Sequence, residues 1–375
     1  MADFDLDRWH MARALELAQR GRGAVEPNPL VGCIVARGAE TIGEGWHRRY
    51  GGPHAEIEAL AVAGSRAAGA TLYVTLEPCC HFGKTPPCTD ALIAAQIARV
   101  VVALRDPFPA VDGGGIARLA SAGIAVEMGV MEDEARCSNA PYLKLLSAGR
   151  PWVLAKWAMS LDGKLATRTL DSRWISGTRS RQVAHQLRGR VDAVIVGRGT
   201  ALADDPLLTA RPPGARIATR IVLDSRALLA SSSRLVETVA EAPVLVACGS
   251  QAPLEHLARL EALGCQVLVC PDANGRVSLN DLLGELGRRR MTNVLVEGGG
   301  QVLGGFFDAG LVDEVHAFIA PRLIGGSQAP GPVGGHGIEQ LSAALHLTQL
   351  QTETLDGDLY VHGLTARGQA GSATI

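Results

Sequence analysis

His54-Ala55-Glu56 is followed by Glu77-Pro78-Cys79-Cys80 and then by Thr85-Pro86-Pro87-Cys88, so an imidazole, a thiol cluster and a carboxylate fall close together. One histidine and two cysteines leave the fourth tetrahedral position of zinc open to water, which separates a catalytic site from a closed structural one. Glu56 need not touch the metal and can shuttle protons, as in the H-x-E…P-C-x-x-C arrangement of zinc-dependent deaminases. The usual two-residue gap between the cysteines is widened here into the loop from Cys80 to Pro87. Cys79 and Cys80 compete as the proximal ligand, and Cys79 follows Pro78 directly, as the motif requires. A structural zinc clip is the plainer alternative, but no fourth Cys or His stands at a suitable spacing.

Such groups must be brought together by regular elements. Hydrophobic patterning predicts helices over 7–20, 54–63, 88–98, 114–122 and 133–147, with strands over 30–37, 41–45, 71–77, 100–104 and 124–128. His54 and Glu56 then lie in the first turn of one helix, Cys88 opens the next, and Cys79 sits in the turn between. Two helix N-termini converge on the metal, where their dipoles favour anionic ligands. Ser147-Ala148-Gly149-Arg150-Pro151 interrupts the pattern and places a domain boundary between residues 1–148 and 149–366, with 367–375 a disordered tail. Beyond it, strands over 152–158, 193–196, 221–224, 243–248, 265–270 and 294–297 alternate with helices over 179–189, 254–263, 279–290 and 301–309. Strands over 312–320, 345–351 and 358–364 close the chain. The alternation predicts two α/β domains.

A second chemical feature is the run from Val294 through Glu297 into Gly298-Gly299-Gly300 and a helix from Gln301. A glycine turn at a helix N-terminus lets backbone N–H groups approach a phosphate, so Gly298, Gly299, Gly300 and Gln301 are a candidate pyrophosphate cradle; an ordinary tight turn is the alternative. Gly197-Arg198-Gly199 does not complete a dinucleotide fingerprint, because Leu202 takes the place of its third glycine.

The 375 residues carry 36 basic and 38 acidic side chains, a net charge of −2. There is no basic stripe and only 4% of residues are aromatic, which counts against a rival reading, a nucleic-acid editing deaminase with an accessory domain. Arg288-Arg289-Arg290 reads as the solvated last turn of a helix. An acidic N-terminus without an apolar run, and no long apolar stretch, predict no secretory signal, no membrane span and a cytoplasmic protein. Cys33, Cys137, Cys248, Cys265 and Cys270 are scattered and expected to be buried, inert thiols.

The chain resembles the bifunctional riboflavin-biosynthesis family, a pyrimidine deaminase fused to a pyrimidine reductase. The resemblance rests on Pro27-Asn28-Pro29-Leu30-Val31-Gly32, Gly43-Glu44-Gly45-Trp46-His47, Gly52-Pro53-His54-Ala55-Glu56 and Leu76 to Cys88. It continues through Ser160-Leu161-Asp162-Gly163-Lys164, Ser172-Arg173-Trp174-Ile175-Ser176, Gly197 to Thr209, Val296-Glu297-Gly298-Gly299 and Ala320 to Gly326. It implies a cytidine-deaminase-like three-layer α/β/α domain followed by a dihydrofolate-reductase-like α/β domain. It also implies hydrolytic deamination of the ribosylated 2,5-diaminopyrimidinone 5′-phosphate, one zinc ion in the deaminase domain, and NADPH-dependent reduction of the deaminated product's ribosyl group to ribityl. The implied partners are small phosphorylated pyrimidines, with no nucleic acid or membrane, and the implied assembly is a homo-oligomer, dimer or tetramer.

Residue by residue, the resemblance makes His54, Cys79 and Cys88 the zinc ligands and Glu56 the catalytic acid–base. Asn28, His47, His81, Lys84 and Asp106 become contacts to the deaminase substrate. Ala158, Trp174, Thr200, Asp204, Ser225 and the Gly298–Gln301 turn become cofactor contacts; Ser172, Arg188, Leu208, Arg211 and Glu297 become contacts to the reductase substrate. One departure stands out: the family commonly reads Arg-Asp-Pro-Asn-Pro where this chain has Arg105-Asp106-Pro107-Phe108-Pro109. Asp106 keeps its part, and any contact from an asparagine at 108 is lost. Arg188 and Arg211 are expected to converge on the substrate's phosphate, since guanidinium groups bind such an anion bidentately.

Overall fold

The computed structural model describes residues 3–83 and 85–366; the expectations for Lys84 and for a 367–375 tail lie outside them. The chain separates into two units between Ala148 and Gly149.

The first unit is built on β1 (Gly32–Arg37), β2 (Glu40–Trp46), β3 (Thr71–Val74), β4 (Arg99–Val102) and β5 (Ala125–Met128), in the order β2-β1-β3-β4-β5. β1 is antiparallel to β2 and β3, and β3, β4 and β5 run parallel. Alternation along the strands sorts side chains to opposite faces. Cys33, Val35, Leu72, Val74, Val100 and Val102 pack with Ala55, Ala59, Leu92 and Leu119 on helices Ala55–Ala63, Cys88–Ala94 and Gly114–Ser121. Ile34, Tyr73 and Val101 face the other way, onto Met11, Ala14 and Leu143 of helices Asp3–Gln19 and Ala140–Ala148. A sheet apolar on both faces needs a helical layer on each, hence three layers.

The second unit carries β6 (Trp152–Ser160), β7 (Ala193–Gly197), β8 (Thr219–Leu223), β9 (Val244–Cys248), β10 (Gln266–Val269), β11 (Asn293–Val296), β12 (Glu314–Ala320), β13 (Leu347–Leu355) and β14 (Asp358–Thr365). Their order is β10-β9-β8-β7-β11-β6-β12-β14-β13. The sheet is parallel from β10 to β12, and β14 and β13 add on antiparallel. Helices Leu279–Arg288 and Gly300–Asp308 press Leu282, Leu286, Leu303 and Phe306 onto one face. Ser225, Glu297 and the Arg198–Asp204 helix all lie just past the carboxyl ends of β8, β11 and β7, the edge where open α/β sheets bind ligands.

Three local expectations need correction. The single helix over 133–147 is two, Glu132–Ser138 and Ala140–Ala148. Between them the Asn139 amide accepts from Leu30 N at 2.8 Å and donates to Leu30 O at 3.0 Å, and Pro141 has no N–H to continue an unbroken ladder. The short helices Arg198–Asp204 and Arg234–Glu237 escape the patterning, the first because Gly199 lowers its intrinsic propensity. Cys137 is half-buried rather than buried; Cys33, Cys248, Cys265 and Cys270 are in the interior as expected.

Candidate active sites of the two units

In the first unit His54 is the N-cap of helix Ala55–Ala63, not its first turn, and Cys88 opens helix Cys88–Ala94. His54 Nδ1 lies 3.2 Å from Cys88 Sγ and 3.6 Å from Cys79 Sγ, and the three donor atoms all fall within 4.8 Å of one another. Zinc–sulfur and zinc–nitrogen bonds at a tetrahedral angle separate the donors by about 3.5 Å, so the set fits one zinc ion. Its electrostatics suit a cation: hydrogen bonds from Cys88 and His54 outweigh burial and leave the Cys79 thiol down at about 4, while its bond to Cys79 and burial push Cys88 up. Cys80 is turned away, its Sγ 3.7 Å from Ala110 O. His54 Nε2 meets Thr85 Oγ1 at 3.5 Å, an outer contact that orients the ring.

Glu56 is buried beside this triad, and burial raises its carboxyl above the usual range despite the nearby His54. A carboxyl moved toward neutrality is suited to both take and return a proton. His47 Nδ1 donates to Pro53 O at 2.8 Å, so its Nε2 accepts from the Asn28 amide at 3.1 Å. Burial favours this neutral ring, and its centroid is 5.4 Å from that of His54. Asp106 is buried, with Oδ1 accepting from Phe108 N at 3.0 Å and Tyr142 Oη at 2.9 Å. His81 lies against Phe108, ring centroids 5.9 Å apart. Thr85 stood in the sequence only as part of the cysteine loop, and Tyr142 was not singled out because it belongs to no recognisable spacing.

In the second unit, Gly299 is the N-cap of helix Gly300–Asp308, and no side chain caps that end. A Cβ on Gly299 would meet nothing nearer than Thr200 Oγ1 at 3.7 Å, whereas one on Gly300 would lie 2.7 Å from Gly331 O. The turn therefore leaves space, bounded by Thr200, in front of free helix N–H groups. This is the shape a dinucleotide pyrophosphate needs. Trp174 stands exposed beside Arg181, whose guanidinium is 4.9 Å from the ring centroid. Asp204 accepts from Arg173 through its backbone carbonyl. Ser225 O receives Gly249 N at 3.1 Å; Ala158 lies on β6, and Ser172 is half-buried.

Arg188 is not free. Its Nε and Nη2 donate to the two oxygens of Glu297 at 2.7 and 2.6 Å, and Lys156 Nζ is 3.6 Å from the same carboxylate. Burial alone would raise the Glu297 carboxyl, but Arg188 and Lys156 hold it down at about 2. Burial and Arg188 lower Lys156 against the pull of Glu297. Arg211 donates its backbone N–H to His185 Nδ1 at 3.3 Å, and burial, then Arg188 and Arg211, lower that imidazole. Leu208, buried at φ 56°, shapes the same loop. Lys156 is the residue that sequence reasoning passed over. Its signal was a lone charge inside Trp152–Ser160, a strand in the middle of the sheet.

Family models match both units: "Cytidine and deoxycytidylate deaminase zinc-binding region" over residues 5–104 and "RibD C-terminal domain" over residues 151–361. The riboflavin biosynthesis protein RibD of Actinobacillus pleuropneumoniae is 41% identical over 355 residues, covering 95% of this chain and 94% of that one. The RibD of Escherichia coli K12 is 39% identical, covering 95% and 98%. The solved structure of Acinetobacter baumannii RibD superposes with a TM-score of 0.86 at 37% identity over 97% of this chain and all of that one. A Thermotoga maritima structure described as a diaminohydroxyphosphoribosylaminopyrimidine deaminase/5-amino-6-(5-phosphoribosylamino)uracil reductase gives 0.83 at 34% identity, covering 97% and 99%. The cytidine-deaminase-like and reductase folds, the pairing of two activities, and zinc and NADPH as cofactors stand accordingly, and the nucleic-acid editing reading falls away. The chain belongs to the RibD family of bifunctional riboflavin-biosynthesis enzymes, a zinc-dependent deaminase joined to a pyrimidine reductase.

Proposed function

We propose that residues 1–148 deaminate 2,5-diamino-6-ribosylamino-4(3H)-pyrimidinone 5′-phosphate and that residues 149–366 reduce the ribosyl group of the resulting 5-amino-6-(5-phosphoribosylamino)uracil with NADPH. The observation that carries the first half is the convergence of His54, Cys79 and Cys88 beside buried Glu56. His54, Cys79 and Cys88 hold the zinc, which when bound lowers the pKa of a coordinated water to near neutrality. Glu56 would accept a proton from the attacking water and return protons to the ring nitrogen and the departing ammonia. Such general acid–base help contributes about 10²–10⁴-fold. Asn28, oriented by its bond to His47, presents its remaining amide groups to the pyrimidine edge. His47 and His81 face the ribose and phosphate, and Lys84, outside the described residues, is assigned to the phosphate by resemblance.

In the reductase half the Gly298–Gln301 turn, with Thr200, takes the NADPH pyrophosphate; Ala158, Trp174, Asp204 and Ser225 complete that site. Ser172, Leu208, Arg211 and the Arg188–Glu297 pair bind the phosphorylated sugar. Because Arg188 is engaged by Glu297, Arg211 is the more available cation for the dianion. Glu297, kept ionised by Arg188 and Lys156, suits sugar hydroxyls or a developing positive imine. The reading includes a homo-oligomer in the cytoplasm; among the described residues no helix is long and apolar enough to cross a membrane. Turnover of the diaminopyrimidine with and without NADPH, following ammonia and cofactor oxidation separately, is the direct test. Ammonia without cofactor, then oxidation only after deamination, is expected; cofactor oxidation with no ammonia would overturn the order.

A further inference from the structure

The first unit holds a buried carboxylate that neither the metal triad nor the proton transfer uses. Glu77 is 4% exposed, and no basic side chain among the described residues pairs with it. Instead Oε2 accepts from Asp106 N at 3.3 Å and Gly113 N at 3.0 Å, while Oε1 accepts from Gly115 N at 2.9 Å and Ile116 N at 3.2 Å. All four donors belong to one segment, and two of them are free N–H groups of the first turn of helix Gly114–Ser121. A buried charge persists only where its lone pairs are met, so this segment is tied to a residue two positions before Cys79.

The same segment is pressed onto the cysteine loop. A Cβ on Gly115 would lie 2.0 Å from Pro78 O, and one on Gly114 would lie 2.9 Å from Cys80 Sγ. At its other end Phe108 meets the ring of His81, whose Nδ1 is buried without a partner among the described residues. We infer that Glu77 is a positioning residue for deamination: its carboxylate holds the 106–116 segment so that Asp106 and Phe108 form, with His81, the wall on which the phosphorylated pyrimidine docks. This rests on the reading of His81 and Asp106 as substrate-side residues.

Glu77→Gln keeps the shape but replaces one acceptor oxygen with an NH2 group, leaving two of the four amides facing a donor. Ammonia release and zinc content are measured for Glu77→Gln, Phe108→Ala, the double variant and His81→Ala. Glu77→Gln should raise the deaminase KM about tenfold, the scale of one charge-assisted hydrogen bond, and Phe108→Ala, which removes the ring against His81, should raise it by a similar factor. The turnover number, the zinc content and the reductase activity should be unchanged. The double variant should be no worse than Glu77→Gln alone, because Phe108 acts through the segment that Glu77 holds.

Multiplying effects, zinc loss in Glu77→Gln, or a fall in turnover at constant KM would overturn the inference. Phe108 is 37% exposed, so Phe108→Ala tests the wall even where Glu77→Gln fails to accumulate, and an unchanged KM there also overturns it. An unchanged KM in His81→Ala defeats the underlying reading, and the inference with it. A raised KM there with none in Glu77→Gln defeats the inference alone.

Discussion

The two sites solve the problem of buried charge in opposite ways. In the deaminase unit two thiols and an imidazole converge in a set that fits one zinc ion. In the reductase unit the charges neutralise one another: Arg188 grips Glu297 with both prongs while Lys156 stands behind. The first arrangement is one that a metal ion would complete. The second is closed on itself, so it can favour a ligand only through what the pair leaves over, or by exchanging partners. A desolvated ion pair adds little net stability but is costly to break on one side, which makes such a pair a rigid fixture.

That contrast can be broken most sharply at the metal. Cys79→Ser and Cys88→Ser should each lose zinc and, with it, deamination, since a soft, charged donor is removed. Cys80→Ser should keep both, and metal analysis of the three purified variants decides it. Depletion in Cys80→Ser alone would reverse the assignment. Next in size, Glu56→Gln should retain zinc and lose deamination by about 10²-fold or more, with reduction of pre-deaminated substrate intact. Wild-type ammonia release would remove Glu56 from proton transfer.

In the reductase unit, Arg188→Met leaves Glu297 buried with only Lys156 beside it and should cost about 3 kcal/mol of stability, read by denaturant unfolding of the full chain. The pH dependence has a defined sign. Glu297 titrates at about 2 in the folded protein and near 4.3 when unfolded. Its contribution is therefore complete above the unfolded value and lost as pH falls toward 2. Arg188→Met should flatten the unfolding profile in that acid window, and a profile identical to wild type would show that the pair does not govern it.

A smaller effect sharpens the comparison at the phosphate. Arg211→Ala should weaken the phosphorylated reductase substrate by about 10–100-fold, one charge-assisted contact or slightly more, and leave NADPH affinity nearly unchanged. Equal weakening of the dephosphorylated substrate would make Arg211 a structural residue. Smallest of all, Gly299→Val fills the space in front of the helix N-terminus and should raise the cofactor KM while deamination stays intact. An unchanged cofactor KM would move the pyrophosphate elsewhere.

How much of this could be read from the chain differs between the two sites for a physical reason. His54, Glu56, Cys79 and Cys88 stand in short motifs of residue types, His-Ala-Glu and Pro-Cys, so they could be picked out although 34 residues separate His54 from Cys88. The choice of Cys79 over Cys80 followed from Pro78, and in the structure it is the Cys79 thiol that points at His54. The Gly298–Gly300 turn was legible too, because a strand running into glycines and then a helix is a local pattern. Alternating apolar residues placed most strands, but patterning merged the two helices around Asn139, whose break is set by a hydrogen-bonded contact to Leu30, far away in sequence.

By itself, then, the order of residues determined two α/β units, a His/Cys/Cys set with Glu56 beside it and a glycine turn. These show as local patterns of residue type, although His54 and Cys88 stand 34 residues apart and meet only through the fold. Only the tertiary structure decided that Arg188 is bound to Glu297 rather than standing free, that Lys156 shares their pocket, and that Glu77 anchors the segment from Asp106 to Ile116. Each of these joins residues that only folding makes adjacent. Coulomb attraction and hydrogen bonding act through space, at distances that a linear sequence does not record.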